Sequence, residues 1–285
     1  MDSFFNRSFQ ITRIKNIPVK IHISFILYFL CVLATSGFLT GNAGWVSFLY
    51  HFLLNGPILF GTVLIHELGH ALTTLKLGGH VSHILLWPLG GLAFVGHDTG
   101  HKNDLLIAAA GPLTHIPMGL FWLVLLLVST HGQFYVHGQL KSHFWAYIFE
   151  ASMWINVLVM AFNLLLPCYP LDGGRIFANT LLLCKVEAKK AAYITCGFAF
   201  PIACLIILWG VFVVLSSGPY GIFTILVGVW IFSSTYQLWD LTRKGFVMHH
   251  PLFRESSQRH SDTNPSGVVI LTIPAVTGQH ACHSV

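Results

Sequence analysis

Uninterrupted apolar runs about as long as a bilayer crossing recur through this sequence, and they leave few architectures open. Six emerge, at about 21–40, 47–77, 105–130, 144–167, 190–216 and 220–241, each dominated by Leu, Ile, Val, Phe and Ala. A helix needs roughly 20 such residues to cross the hydrocarbon core, where every backbone polar group must be satisfied within the segment. Only 9% of the 285 residues are charged, far below the roughly 25% of an average soluble domain. The connections between runs are too short for a separate soluble enzyme domain, so any chemistry takes place in or at the membrane. The expected fold is an all-α polytopic membrane protein with about six transmembrane helices in contact with the lipid bilayer.

Charge sets the expected orientation. With a cytoplasmic N-terminus, 14 of the 15 Lys and Arg residues fall on the inner side and Lys141 alone lies outside, the asymmetry that marks cytoplasmic loops. Both termini are therefore expected in the cytoplasm, and the first run, which lacks a small-residue cleavage site, is expected to be retained as a span. The formal charge of +5 is explained by inner-side cations beside anionic headgroups, so no nucleic-acid partner is expected. Between the second and third runs, Ile84–Trp87 and Gly91–Gly96 form two short apolar stretches hinged at Pro88-Leu89-Gly90-Gly91. They predict a membrane-associated β-hairpin too short to span twice, and such backbone persists at membrane depth only where protein or a water-filled cavity satisfies it. Composition changes after Pro251, which divides the chain into a membrane domain over 1–250 and a flexible cytoplasmic tail over 251–285.

Ionisable residues inside a span are costly and are functional candidates by default. The second run contains Ile65-His66-Glu67-Leu68-Gly69-His70-Ala71, the HExxH pattern in an apolar, helix-compatible context. Four residues apart, His66 and His70 leave one helical face together and can bring two imidazole nitrogens to one Zn2+, with Glu67 beside them near a metal-bound water. Chance placement of these residues has odds of about one in a hundred for a chain of this composition. The six cysteines form no CxxC pair and read as small core residues.

A tetrahedral catalytic zinc takes a third protein ligand and keeps one position open. Pro170-Leu171-Asp172-Gly173-Gly174 follows the fourth run at its inner end, and the histidines lie about 10 Å short of the inner end of the second, so their depths are compatible. Asp172 is thus the leading candidate, placed by Pro170 and the two glycines on an irregular segment able to turn toward the metal. An ordinary turn aspartate is the competing reading.

His66-Glu67-Leu68-Gly69-His70, followed about a hundred residues later by Asn163-Leu164-Leu165-Leu166-Pro167-Cys168-Tyr169-Pro170-Leu171-Asp172-Gly173-Gly174, closely resembles the site-2 protease family of intramembrane zinc metalloproteases. The Gly90-Gly91 hairpin and Ala108-Ala109-Ala110-Gly111-Pro112-Leu113-Thr114 share that likeness, which covers about residues 50–178. The resemblance implies one zinc per chain held by His66, His70 and Asp172, with Glu67 as general base. It also implies a membrane-anchored protein substrate cut in or near its transmembrane segment, as in regulated intramembrane proteolysis. Asn163, and with it Asn156, becomes a substrate-orienting group, although both are equally compatible with hydrogen bonding between helices. One departure stands out: where the family usually has Asn a few residues after Gly-Pro, this chain has His115, read here as a packing histidine.

Two other functions fit parts of the pattern. A metal transporter would use the many histidines but leaves Glu67 and an open three-ligand site without a purpose. A catalytically silent relative acting by binding alone would not need all four central residues.

Overall fold

The structure, a computed structural model, describes residues 8–35, 44–88, 90–96, 100–217, 221–250 and 252–253. The chain enters as a hairpin, β1 (Ser8–Ile14) and β2 (Ile17–His22), followed by α1 (Ser24–Thr35). α2 (Trp45–Leu53) runs through a π turn (Leu54–Ile58) into α3 (Leu59–Lys76), and then β3 (His80–Trp87) and β4 (Gly90–Gly96) form the second hairpin. α4 (His101–Leu113), α5 (His115–Ser129), α6 (Phe144–Leu165), α7 (Asp172–Leu183), α8 (Ala188–Ser217) and α9 (Ile222–Arg243) complete the helices.

Five helical segments among the described residues are long and apolar enough to cross a membrane: 45–76, 101–129, 144–165, 188–216 and 222–243. They coincide with runs two to six. Their outward side chains are apolar, with Val128 71%, Leu165 72% and Leu205 65% exposed, an arrangement favourable in lipid and costly in water. The first run lies only partly within the described residues. Its start belongs to β2, its described helix is the 12 residues of α1, and residues 36–43 of that run lie outside the described set.

The fold is also less purely helical than the all-α reading. Four strands form one sheet in the order β1-β2-β3-β4, with antiparallel hairpins at each end joined by a parallel β2–β3 pair in which Val19 faces Ile84. β1 and β2 meet through Lys15 and Asn16, both at positive φ (48° and 67°), the conformation a two-residue hairpin loop requires. The charged residues Arg13, Lys15 and Lys20 mask this period-2 segment as a simple basic flank.

One face of the sheet packs on α3. Ile17, Val19, Ile84 and Leu86 bury against Phe25, Phe60 and Ala71, with Val63, Leu64 and Leu68 around them. α3 therefore gives one face to the sheet and turns the other, bearing His66 and His70, toward α4 and α7. Upstream, Gly56 has non-helical angles (φ −98°, ψ −108°) and Pro57 follows within the π turn. A proline there removes a backbone donor and crowds the preceding turn, which accounts for the kink between α2 and α3.

Beyond α6, residues 166–171 bury Cys168 and Leu171 against Ala199, Ala203 and Ile231 of the α8–α9 pair. A second core joins Ala178 of α7 and Ala191, Ala192 and Cys196 of α8 to Leu238, Val247, Leu252 and Phe253. Of the tail expected over 251–285, residues 251 and 254–285 lie outside the described residues, while Leu252 and Phe253 are buried, at 8% and 1% exposed.

Candidate metal centre

The middle turns of α3 hold His66, Glu67 and His70 in a continuous helix, so their relative directions follow from the 100° advance per residue. All three are buried. Asp172 arrives from the far side as the first residue of α7, after the extended N-cap residue Leu171. This corrects the expectation of an irregular segment: the irregular stretch is 166–171, and Asp172 opens a helix. An acidic residue in a first turn is favoured by the unsatisfied N–H groups there.

The donor atoms converge. His66 Nε2 lies 3.1 Å from Asp172 Oδ2 and 3.1 Å from His70 Nε2, and His70 Nε2 lies 3.3 Å from the same oxygen. Among the described residues these three form a group of His and carboxylate ligand atoms all within 4.8 Å of one another. The remaining atoms of each side chain are held from behind. His70 Nδ1 donates to the Ile107 carbonyl at 2.7 Å, which leaves its Nε2 lone pair facing the centre. Asp172 Oδ1 lies 3.5 Å from Arg175 Nη1. His66 Nδ1 meets His115 Nε2 at 2.9 Å, and His115 Nδ1 meets Asn156 Oδ1 at 3.0 Å.

Two glycines make room for this arrangement. A Cβ on Gly111 of α4 would run into His70 Nε2 and come within 2.8 Å of His66 Nε2. At Gly91 of β4 it would run into the side chain of Glu67, 2.7 Å from Oε1. Glu67 also accepts a hydrogen bond from the Ala93 backbone N–H, so β4, an edge strand of the sheet, lies alongside this carboxylate. The donor set of two imidazoles and one carboxylate, buried and backed by hydrogen bonds, fits zinc with a fourth position left for water or substrate.

The two asparagines separate. Asn163 is half-buried and donates to Val159 O in its own helix at 3.1 Å. Asn156 is fully buried and joins the centre through His115. The contact of His115 with His66 was not legible in the sequence, since it depends on where α5 crosses α3. The one available signal was a histidine in the place where the family usually carries asparagine.

A buried His-His-carboxylate centre with an adjacent glutamate, set among apolar helices, defines a membrane-embedded metallopeptidase class. Residues 57–208 match the model of peptidase family M50, and this chain belongs to that family. It is 30% identical to a zinc metalloprotease of Methanocaldococcus jannaschii over 72% of this chain and 54% of that protein. It is 29% identical to stage IV sporulation protein FB of Bacillus subtilis over 70% of this chain and 64% of that one. The solved structure of the site-2 protease from Methanocaldococcus jannaschii superposes with a TM-score of 0.55 at 29% identity, covering 81% of this chain and 94% of that one. The chain spans little more than half the length of the curated zinc metalloprotease it matches.

Proposed function

We propose that this chain is an intramembrane zinc metalloendopeptidase that hydrolyses peptide bonds in or near the transmembrane segments of membrane-anchored proteins. The observation that carries the reading is the convergence of His66, His70 and Asp172 within 4.8 Å, with Glu67 beside them, among helices long and apolar enough to cross a membrane. His66, His70 and Asp172 hold the metal. Zinc bound there supplies a Lewis acid that acidifies water and offsets negative charge on the substrate carbonyl oxygen. Glu67 takes a proton from the attacking water as the new C–O bond forms, then delivers it to the amide nitrogen as the C–N bond breaks. The Ala93 N–H orients the Glu67 carboxylate for both transfers.

A transmembrane helix hides its carbonyls in internal hydrogen bonds, so the scissile segment must unwind. An unwound segment can add to the edge of β4 as a further strand, and that edge runs beside Glu67. The inner-side concentration of Lys and Arg favours cytoplasmic termini and a cut near the cytoplasmic face, consistent with release of a cytoplasmic regulator in regulated intramembrane proteolysis.

The test uses the purified full chain in detergent or vesicles. Wild type and Glu67→Gln are incubated with single-span test proteins, and bound zinc is measured in both. Zinc retained with cleavage abolished is the expected result. Cleavage that persists in Glu67→Gln or in chelator-treated wild type overturns the mechanism, and metal flux across vesicles that survives Glu67→Gln favours a transporter instead.

A further inference from the structure

We infer that His115 and Asn156 are positioning residues for the metal centre, forming a proton-locked relay that fixes which nitrogen of His66 faces the metal. The inference rests on the reading of His66 as a ligand and adds a role for two residues on helices that carry none of the ligands.

The relay is read from its far end. Asn156 Nδ2 donates to Ser152 O at 2.9 Å, which settles the amide orientation and leaves Oδ1 pointing at His115. An amide oxygen only accepts, so the proton of its 3.0 Å bond to His115 sits on His115 Nδ1. With one proton per ring, His115 Nε2 then carries a lone pair. Its 2.9 Å contact with His66 Nδ1 is satisfied only if His66 donates. That leaves His66 Nε2 unprotonated and turned toward Asp172 and His70. His70 is held in the same tautomer by the Ile107 carbonyl, so both imidazoles present Nε2 through the same logic with different acceptors.

Burial makes the relay costly to break. His115 is 2% exposed, while Asn156 and Ser152 are 0% exposed. Substituting an apolar residue for His115 strands the His66 Nδ1–H without water to replace its acceptor. The ring can then rotate or change tautomer, and its donor atom no longer points into the site. Interactions of this kind behind a metal-bound histidine are worth about 10–100-fold in metal affinity. The choice of histidine over asparagine also has a geometric basis: Nδ1 and Nε2 lie on opposite sides of the ring, so one side chain can bond α3 and α6 at once.

The experiment measures zinc affinity of the full-length protein by chelator competition, together with the visible absorption spectrum of the cobalt-substituted form. Four variants are compared with wild type: His115→Gln, His115→Leu, Asn156→Leu and the double His115→Leu/Asn156→Leu. Glutamine keeps an acceptor near the position of Nε2, and leucine keeps volume without one. The expected outcome is a loss of about 10–100-fold in zinc affinity with a changed cobalt spectrum for His115→Leu, and retention within a few-fold for His115→Gln. Asn156→Leu should weaken binding in the His115 background and add nothing to His115→Leu, because it acts only through that ring. Wild-type affinity and spectrum in His115→Leu overturn the inference, as does an equal loss in His115→Gln. His66→Ala is measured in parallel: if it retains zinc, the ligand assignment itself fails, a result distinct from any outcome at His115.

Discussion

Gly111 and His70 stand so close that a single methyl group on the glycine would collide with the imidazole Nε2. α4 thus approaches α3 at the one place where the metal needs free space. In an ordinary helix interior Gly→Ala stabilises by about 1 kcal/mol. Here the collision with two imidazoles pinned by hydrogen bonds outweighs that gain, so Gly111→Ala is expected to destabilise the metal-free protein and also to lower zinc affinity by tenfold or more, about 1.4 kcal/mol. Zinc titration and thermal melting of the metal-free form, taken together, check both signs.

The hydrogen bond from Ala93 to Glu67 separates catalysis from metal binding. Proline is tolerated on an edge strand where its missing N–H does not belong to the ladder. Ala93→Pro should therefore fold and retain zinc, yet cleave single-span test proteins roughly 10–100-fold more slowly, the equivalent of one hydrogen bond to a charged group at about 1.5–3 kcal/mol. A normal rate would show that the edge of β4 neither orients Glu67 nor receives substrate.

Thr235 of α9 places its hydroxyl 3.1 Å from the Tyr169 carbonyl and 2.8 Å from the Ile231 carbonyl. The first contact ties the segment before Asp172 to a helix 66 residues away in sequence. Thr235→Val preserves shape and removes the donor, so stability should fall by about 1 kcal/mol. Zinc dissociation should accelerate, followed with a chromogenic chelator. An unchanged dissociation rate would separate α9 from the metal centre.

His250, beyond the last span, gives the protein an acid-sensitive point. Its ring lies against Tyr169 and Phe253, its Nδ1 accepts the Leu252 N–H at 3.3 Å, and burial pushes its pKa down to about 4. An unfolded histidine titrates near 6.5, so between these values the unfolded chain binds the extra proton. The contribution of the neutral ring is complete above about pH 6.5 and is lost as pH falls toward about 4. The thermal midpoint of wild type should drop more steeply over that window than that of His250→Phe.

Local patterns carried much of this molecule. His66, Glu67 and His70 depend only on helical spacing, and the spans from residue 45 onward depend only on continuous apolarity, so both were legible. The β3–β4 hairpin was legible through Pro88-Leu89-Gly90-Gly91. The β1–β2 hairpin was not, because Arg13, Lys15 and Lys20 resemble a charged flank and its stabilising partner, β3, lies some sixty residues away in the parallel register Val19–Ile84. Asp172 was found as a residue but placed in the wrong local structure, since Leu171 begins a helix without a side-chain cap to announce it. His115 was visible only as a departure from a family pattern, and its contact required the crossing of α3, α5 and α6.

The segment 166–171 rests on α8 and α9 through Cys168 and Leu171, while Trp230 of the same α9 touches Trp87 at the end of β3. One helix thus leans on both the strap that delivers Asp172 and the sheet that borders Glu67. A sideways excursion of α9 wide enough to admit a substrate helix would loosen the carboxylate ligand in the same movement. The rate at which zinc escapes to a chelator then becomes a clock for how often the protein opens.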